Sequence, residues 1–367
     1  MAKRPGPLES LVNLRQAFAG KKVWISGHTG FKGSWLTAWL LELGAEVAGY
    51  ALPAEGPLFR QTGLARHIRH EQADIRNLGK LRKSLSSFRP DFVFHLAAQP
   101  LVRRSYGQPC ETFEVNTLGT AYVLDALKVQ KTPCAAVFVT TDKVYENRET
   151  RRRYLEKDPL GGRDPYSASK AAAEIIIASY RSSFFQKHPV RVVSARAGNV
   201  IGGGDWAEDR ILPDCIRALR KGKTILVRNP RATRPWQHVL EPLGGYLALA
   251  ARLSRGGKVS GSYNFGPDAG GDQTVEDLVR EILIHWPGKW KKVCEAGAPH
   301  EAGLLHLNNR LAEKELGWRP CWGFRQTIRQ TIQWYRRVER RETTPWEMTL
   351  EQINAYETDA HLGKRKS

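Results

Sequence analysis

The 367-residue chain is 41% hydrophobic and 26% charged, enough for one large core or for one domain with a smaller companion. No apolar run approaches the ~18 residues of a membrane span. Met1-Ala-Lys-Arg-Pro-Gly-Pro leads into a polar amphipathic stretch without a signal-peptide core, so a cytoplasmic location and no membrane partner are expected.

The formal net charge is +20, from 57 Lys+Arg against 37 Asp+Glu, and favours an anionic partner. The basic clusters are small and scattered: Arg151-Arg152-Arg153, Lys291-Lys292, Arg336-Arg337, Arg340-Arg341 and Lys364-Arg365-Lys366. None is interleaved with aromatics as in a nucleic-acid module, so they read as solvated surface and no nucleic-acid partner is expected. The five cysteines, Cys110, Cys134, Cys215, Cys294 and Cys321, never fall in CxxC spacing. Neither a disulfide framework nor a metal site is indicated.

In chain order, Lys22 to Ser26 reads as a short strand. A tight turn follows at Gly27-His-Thr-Gly30-Phe-Lys-Gly33, and Ser34 to Leu43 has helical spacing. Further strands are expected at 46–50, 68–73, 91–95, 135–139 and 190–195, with helices over about 111–130 and 166–185. Strands and helices alternating at this spacing imply βαβ units. The expected fold class is α/β, a Rossmann-like doubly wound parallel sheet with helices on both faces. After residue 200 the regularity fades into shorter helices near 211–221, 237–254, 274–285, 309–316 and 324–338. The expected domains are therefore 18–200 for the dinucleotide-binding unit, with some later segments returning to it, and 201–345 for a substrate-binding lobe. Residues 346–367 read as a C-terminal extension, disordered from about Gly363.

Glycines at 27, 30 and 33, directly after a strand and opening a helix, let the backbone turn tightly and approach a pyrophosphate. Lys32, inside the loop, is either near phosphate or at the surface. The second strand ends Gly49-Tyr50-Ala51-Leu52-Pro53, without the acid that often binds an adenosine ribose. Asp74-Ile75, after the third strand, either holds an adenine or makes a helix N-cap.

Two segments carry the chemistry. Tyr166-Ser-Ala-Ser-Lys170 puts a phenol and an ammonium on one helix face, where the cation would favour the phenolate and make a base. Thr140-Thr141-Asp142-Lys143-Val144-Tyr145 follows a strand, at the sheet edge where ligands bind in open α/β folds. Two proton-transfer stations suggest chemistry beyond alcohol oxidation.

These residues resemble the extended short-chain dehydrogenase/reductase family and, within it, the nucleotide-sugar 4,6-dehydratases, most closely the CDP-glucose branch. The matching stretches are residues 27–36, His95-Leu-Ala-Ala-Gln-Pro100, Thr140 to Tyr145 and Gly198-Asn-Val-Ile-Gly-Gly-Gly-Asp-Trp206. Arg234 to Pro242, His300-Glu-Ala302 and Leu316-Gly-Trp318 extend the match, which covers about residues 20–340. The resemblance implies NAD held by Gly27, Thr29, Gly30, Phe31, Lys32, Gly33, Asp74, Ile75, Leu96, Ala97, Ala98, Tyr166 and Lys170. It implies CDP-glucose as substrate, contacted by Gln99, Asn199, Arg210, Arg234 and His238. Arg210 and His238 read equally well as packing or salt-bridge residues, and Trp206 as core.

In the reaction so implied, Tyr166 takes the proton of the 4-hydroxyl, Lys170 holds the cofactor ribose, and Thr141 hydrogen-bonds the 4-oxygen. Asp142 protonates the departing 6-hydroxyl. Lys143 stands where the dTDP-glucose enzymes carry glutamate. It is either the base for the carbon-5 proton or an ammonium that stabilises the enolate. The resemblance also implies a homodimer through the helices at about 111–130 and 166–185. The residues alone leave two alternatives: a 4-epimerase, or a dinucleotide-sensing or RNA-binding protein on the same fold.

Overall fold

The computed structural model describes residues 14–362 apart from 55, 151, 258 and 294–303. The N-terminal stretch, Arg151, Cys294, the 300–302 match and the tail from Gly363 lie outside the described residues.

Seven strands form one sheet: β1 (Lys22–Ser26), β2 (Glu46–Ala51), β3 (Arg69–Gln72), β4 (Phe92–His95), β5 (Cys134–Val139), β6 (Val190–Ala197) and β7 (Ser262–Phe265). Their order is β7-β6-β5-β4-β1-β2-β3, with every pairing parallel. Parallel strands need crossovers, and the crossovers cover both faces. Alternate residues of each strand therefore enter two different cores. Val23, Ile25, Phe92, Phe94, Ala135 and Val137 face one. Trp24, Ala48, Val93, Ala136, Phe138 and Val192 face the other.

Six of these strands coincide with the sequence expectation to within two residues. The seventh, Ser-Tyr-Asn-Phe, is too short and polar to show as a strand. It is fixed by its neighbour instead, with Ser262 opposite Ser194 and Phe265 opposite Ala197.

Helix α1 (Phe31–Glu42) begins on the glycine loop and is buried nearly all round from Gly33 to Leu40. It is sandwiched between the sheet and later helices, so it needs no polar face. Helix α2 (Leu78–Phe88) is capped by Asn77, whose side chain accepts from the Lys80 amide. Asp74 is therefore not its cap. Instead its carboxylate accepts from the Arg76 amide and guanidinium.

Helix α3 (109–128) contains a π-helical turn at Glu114–Leu118. Helix α4 (Pro165–Ser183) starts with Asp164 as its cap and a proline in its first turn. The helices that follow include α5 (Ile211–Arg220), α6 (Leu240–Ser254), α7 (Val275–His285) and α8 (Phe324–Glu339), with the short helix Arg310–Leu316 between the last two.

The expected C-terminal extension is a packed helix, α9 (Pro345–Leu362). Met348, Ile353 and Tyr356 are buried in the main core, and Trp39 of α1 donates its indole N–H to Glu357 at 2.8 Å. The Gly202-Gly203-Gly204 loop is held against the same layer. A Cβ on Gly203 would lie 2.0 Å from the Trp334 ring, and the Tyr335 hydroxyl donates to the Asp205 carbonyl at 2.6 Å.

Glu241, in the first turn of α6, pins this layer from inside. It is fully buried and accepts N–H bonds from Cys321 and Trp322 and the hydroxyl of Tyr356. Burial nevertheless raises its carboxyl to about 7. Because the folded value lies above the unfolded one, the contribution to stability is full below about pH 4.5 and is lost as pH rises through 7. Replacing Glu241 with Gln removes this dependence. Urea unfolding between pH 5 and 8 is expected to show the Glu241→Gln protein gaining on the unsubstituted one by about 3 kcal/mol as pH rises.

Candidate active site

The strand order reverses between β1 and β4, the switch point where an open α/β sheet binds ligands in the crevice beyond the carboxyl ends of its strands. Four strand ends reach it: the glycine loop after β1, Leu96-Ala97-Ala98 after β4, Thr140-Thr141-Asp142 after β5 and Gly198-Asn199 after β6.

The glycine loop is built for close backbone approach. Gly27 has φ +75, and a Cβ there would lie 2.7 Å from the Ala97 nitrogen. At Gly33 a Cβ would lie 2.1 Å from the Gly27 oxygen. Gly30 is the N-cap of α1 and offers no side-chain acceptor, so the first N–H groups of the helix face the crevice without a capping partner. Thr29 is buried and its hydroxyl donates to the Leu52 carbonyl. Phe31 packs on the main core beside Gly202. Ser26 accepts the Leu96 and Ala97 amides, which fixes the β4 end beside the loop. Ile75 is buried against Gly119, and the Asp74 carbonyl accepts the Tyr50 hydroxyl. An uncapped helix N-terminus with glycines that admit backbone contact suits a dinucleotide pyrophosphate.

Thr141, Asp142, Tyr166 and Lys170 come together at the β5 end. Thr141 caps the short turn at Asp142–Val144, and its hydroxyl donates to Asp142 at 2.9 Å. Asp142 is buried, and the Lys143 ammonium stands 3.6 Å from it with 28% of its side chain exposed. Lys170 is buried and donates to the Val139 carbonyl at 3.3 Å. Asn116, on the π-turn of α3, locks helix and strand end together: it accepts the Gln99 amide and donates to Gln99 and to Ser169. A π-turn at such a place re-aims one side chain without breaking the helix.

The electrostatics depart from the sequence expectation at Tyr166. Burial pushes its phenol up to about 12, against the opposing pull of the Thr141 hydroxyl and the Arg210 charge. In the protein alone the Lys170 ammonium does not make the phenol acidic, because desolvation dominates and the ammonium is engaged by a backbone carbonyl. Lys170 itself is lowered to about 8 by burial, with Glu174 opposing.

Lys32 is not a surface lysine. Its ammonium is enclosed 6.0 Å from the Tyr246 ring centroid. Burial, then Arg210, Lys170 and Lys143, lower it to about 7 while Asp142 opposes. Tyr246, in the middle of α6, brings a fully buried hydroxyl without a partner to the neighbourhood of Tyr166 and Asp142. Nothing in the apolar run around Tyr246 marks it as part of a site.

The other expected contacts divide. Arg210 reaches the crevice, paired with Asp205 at 3.0 Å. Arg234 lies on the short strand Thr233–Pro235 with its guanidinium on the Thr233 carbonyl, and Asn199 is half-buried just beyond β6. Gln99 spends its amide on the chain, donating to Leu101 and Thr112 and accepting the Leu101 amide. His238 is fully buried between Trp35 and Trp322, so the structure gives it a packing role rather than a place on the crevice wall. Trp206 stacks edge-on with Tyr335, under the Arg220 guanidinium.

Residues 23–266 match the model of the NAD dependent epimerase/dehydratase family. The CDP-glucose 4,6-dehydratase of Salmonella typhimurium is 46% identical over 327 residues, spanning 86% of this chain and 91% of that protein. Among solved structures, the dTDP-glucose 4,6-dehydratase of Streptomyces venezuelae with NAD and TYD bound superposes with a TM-score of 0.74 at 25% identity, covering 86% of this chain and 97% of the other. The UDP-glucose 4-epimerase of Thermus thermophilus with NAD gives 0.74 at 27% identity, covering 86% and 99%. Glycine loop, strand order and likeness agree: the chain belongs to the NAD dependent epimerase/dehydratase family, and NAD is its cofactor.

Proposed function

We propose that this protein is a CDP-glucose 4,6-dehydratase that converts CDP-glucose to CDP-4-dehydro-6-deoxyglucose and water. The observation that carries the reading is the pair Asp142-Lys143, held 3.6 Å apart beside Thr141 on the same crevice as Tyr166 and Lys170. A 4-epimerase needs only the tyrosine and lysine. The adjoining acid and amine supply the second proton-transfer station that loss of water requires. The name of the 46% identical relative points to the same reaction and nucleobase.

Bound NAD would supply the hydride chemistry, acceptance from carbon 4 and return at carbon 6. Tyr166 receives the proton of the 4-hydroxyl as a phenolate, a form that the positive charge of bound NAD would favour over the neutral phenol of the protein alone, with Thr141 hydrogen-bonded to the 4-oxygen. The resulting ketone acidifies the carbon-5 proton, which Lys143 removes as the neutral amine once the proton of the pair has passed to Asp142. Asp142 gives its proton to the departing 6-hydroxyl, and water leaves. Lys170 holds the ribose hydroxyls and balances charge beside Tyr166. The uncapped start of α1 and Gly27, Thr29, Gly30, Phe31, Lys32 and Gly33 would carry the pyrophosphate, while Asp74, Ile75, Leu96, Ala97 and Ala98 line the adenosine and nicotinamide ends. Tyr246 adds a free hydroxyl beside them. Arg210 and Arg234 serve the substrate diphosphate, since guanidinium forks suit phosphate oxygens, and Asn199 serves the sugar.

The dinucleotide unit is taken as residues 18–200 with the later strand β7, and the substrate lobe as the bulk of 201–345. The protein is read as a homodimer. Helices α3 and α4 expose Phe113 at 38%, Leu118 at 46% and Ile175 at 60%, an apolar surface that a second copy would cover. Free cysteines at 110, 134, 215 and 321 accord with a reducing, cytoplasmic setting. No nucleic-acid partner enters this reading, because basic clusters such as Arg337 and Arg340 are paired with Glu342 and Glu351.

Incubation with CDP-glucose and NAD is expected to give a 4-keto-6-deoxy product absorbing in alkali. A sugar merely inverted at carbon 4 would refute the reading, and parallel dTDP-, UDP- and GDP-glucose assays test the nucleobase. The Lys143→Met protein should reduce NAD transiently yet release no dehydrated sugar, seen by stopped-flow absorbance; normal water loss would remove Lys143 from the role of base. In sedimentation velocity, Ile175→Glu is expected to turn a dimer into a monomer of unchanged secondary structure.

A further inference from the structure

Glu174 lies one helical turn beyond Lys170 and two beyond Tyr166, on the same face of α4. It is 3% exposed, and both of its oxygens are used. Oε1 accepts the Thr140 hydroxyl at 2.5 Å, and Oε2 accepts Ser194 at 2.8 Å and the Arg196 guanidinium at 2.7 Å. Arg196 is also buried, and its other nitrogen reaches the Tyr145 hydroxyl and the Glu156 carbonyl. The carboxylate therefore joins the residue preceding Thr141 on one side to the helix of the tyrosine and lysine on the other.

We propose that Glu174 is a positioning residue for catalysis: fixed by Arg196, Thr140 and Ser194 one helical turn from Lys170, it supplies the negative charge that keeps Lys170 a cation and sets the β5 end against α4. The inference rests on the reading of Tyr166 and Lys170 given above. The groups around Lys170 leave Glu174 as its counter-charge. Lys170 donates to the neutral Val139 carbonyl, has Tyr166 one turn before it on α4, and lies within electrostatic reach of the buried His95 and the Lys32 amine. Around Glu174 stand Thr140, Ser194, Arg196 and, further along α4, Arg181. Arg196 draws on the charge of the one carboxylate by direct contact and Lys170 from one helical turn away, so the two basic residues are coupled through it.

That competition gives a test in which the two halves of the pair move in opposite directions. In Glu174→Gln, Arg196 is left as an uncompensated cation near Lys170, which then loses its proton more easily. In Arg196→Met, the whole carboxylate serves Lys170, which keeps its proton longer. The pH profile of kcat/KM on the nucleotide-sugar is expected to lose its alkaline limb about one to three pH units earlier in Glu174→Gln and to extend it in Arg196→Met, with the double variant between them. A merely structural role would lower kcat in both variants and leave the limb in place, and that result overturns the proposal. If Glu174→Gln does not fold, Arg196→Met and the charge-neutral double variant still decide the direction of the shift. Retained activity in Tyr166→Phe would instead overturn the underlying reading.

Discussion

The geometry of the site depends on one buried ion pair, Glu174 with Arg196. It lies under the catalytic strand end and joins α4, β5 and β6, and through Tyr145 and Asn264 it reaches β7. A buried charge pair returns its desolvation cost only when every lone pair and proton is satisfied. Glu174 meets that condition with three donors. Arg196 meets most of it with three acceptors, its Nε alone being unpaired. A carboxylate so surrounded stays well below the usual range despite burial, led by the Arg196 charge. Breaking either half would leave a charge stranded in the core, so the network fixes one arrangement of strand and helix.

Above that pair the crevice is cationic. Lys32 lies within electrostatic reach of Arg210, Lys170 and Lys143 with Asp142 as the one opposing charge, while Asp142 is paired with Lys143 and Arg210 with Asp205. Such an excess is costly for the protein alone: at Lys32 it adds to burial in lowering the ammonium to about 7. It is also what a site for two diphosphate-bearing molecules needs. Many of the other basic residues stand in surface ion pairs, which contribute little to stability.

The C-terminal half supplies rigidity more than chemistry. Helices α8 and α9 clamp the glycine-rich loop after β6 through Trp334 and Tyr335, and Glu241 draws the 321–322 turn onto α6. That layer encloses α1, which is why the helix opening on the cofactor loop can be apolar on every side.

The amino-acid sequence determined the βαβ order, six of the seven strands, the glycine loop and the Tyr166–Lys170 spacing, because each is written in local periodicity or in a backbone constraint only glycine meets. Tertiary structure decided what depends on distant partners. Ser262–Phe265 became a strand because β6 offered it an edge, and residues 345–362 became a packed helix because Trp39 and the main core receive its face. Gln99 and His238 look like ligand contacts in a linear motif, yet neighbours far along the chain consume one and bury the other. Tyr246 and Glu174 carry no local signal at all, and Lys32 only its place in the glycine loop. Their positions and proton affinities follow from desolvation and from charges brought near by folding, and neither is a property of spacing along a chain.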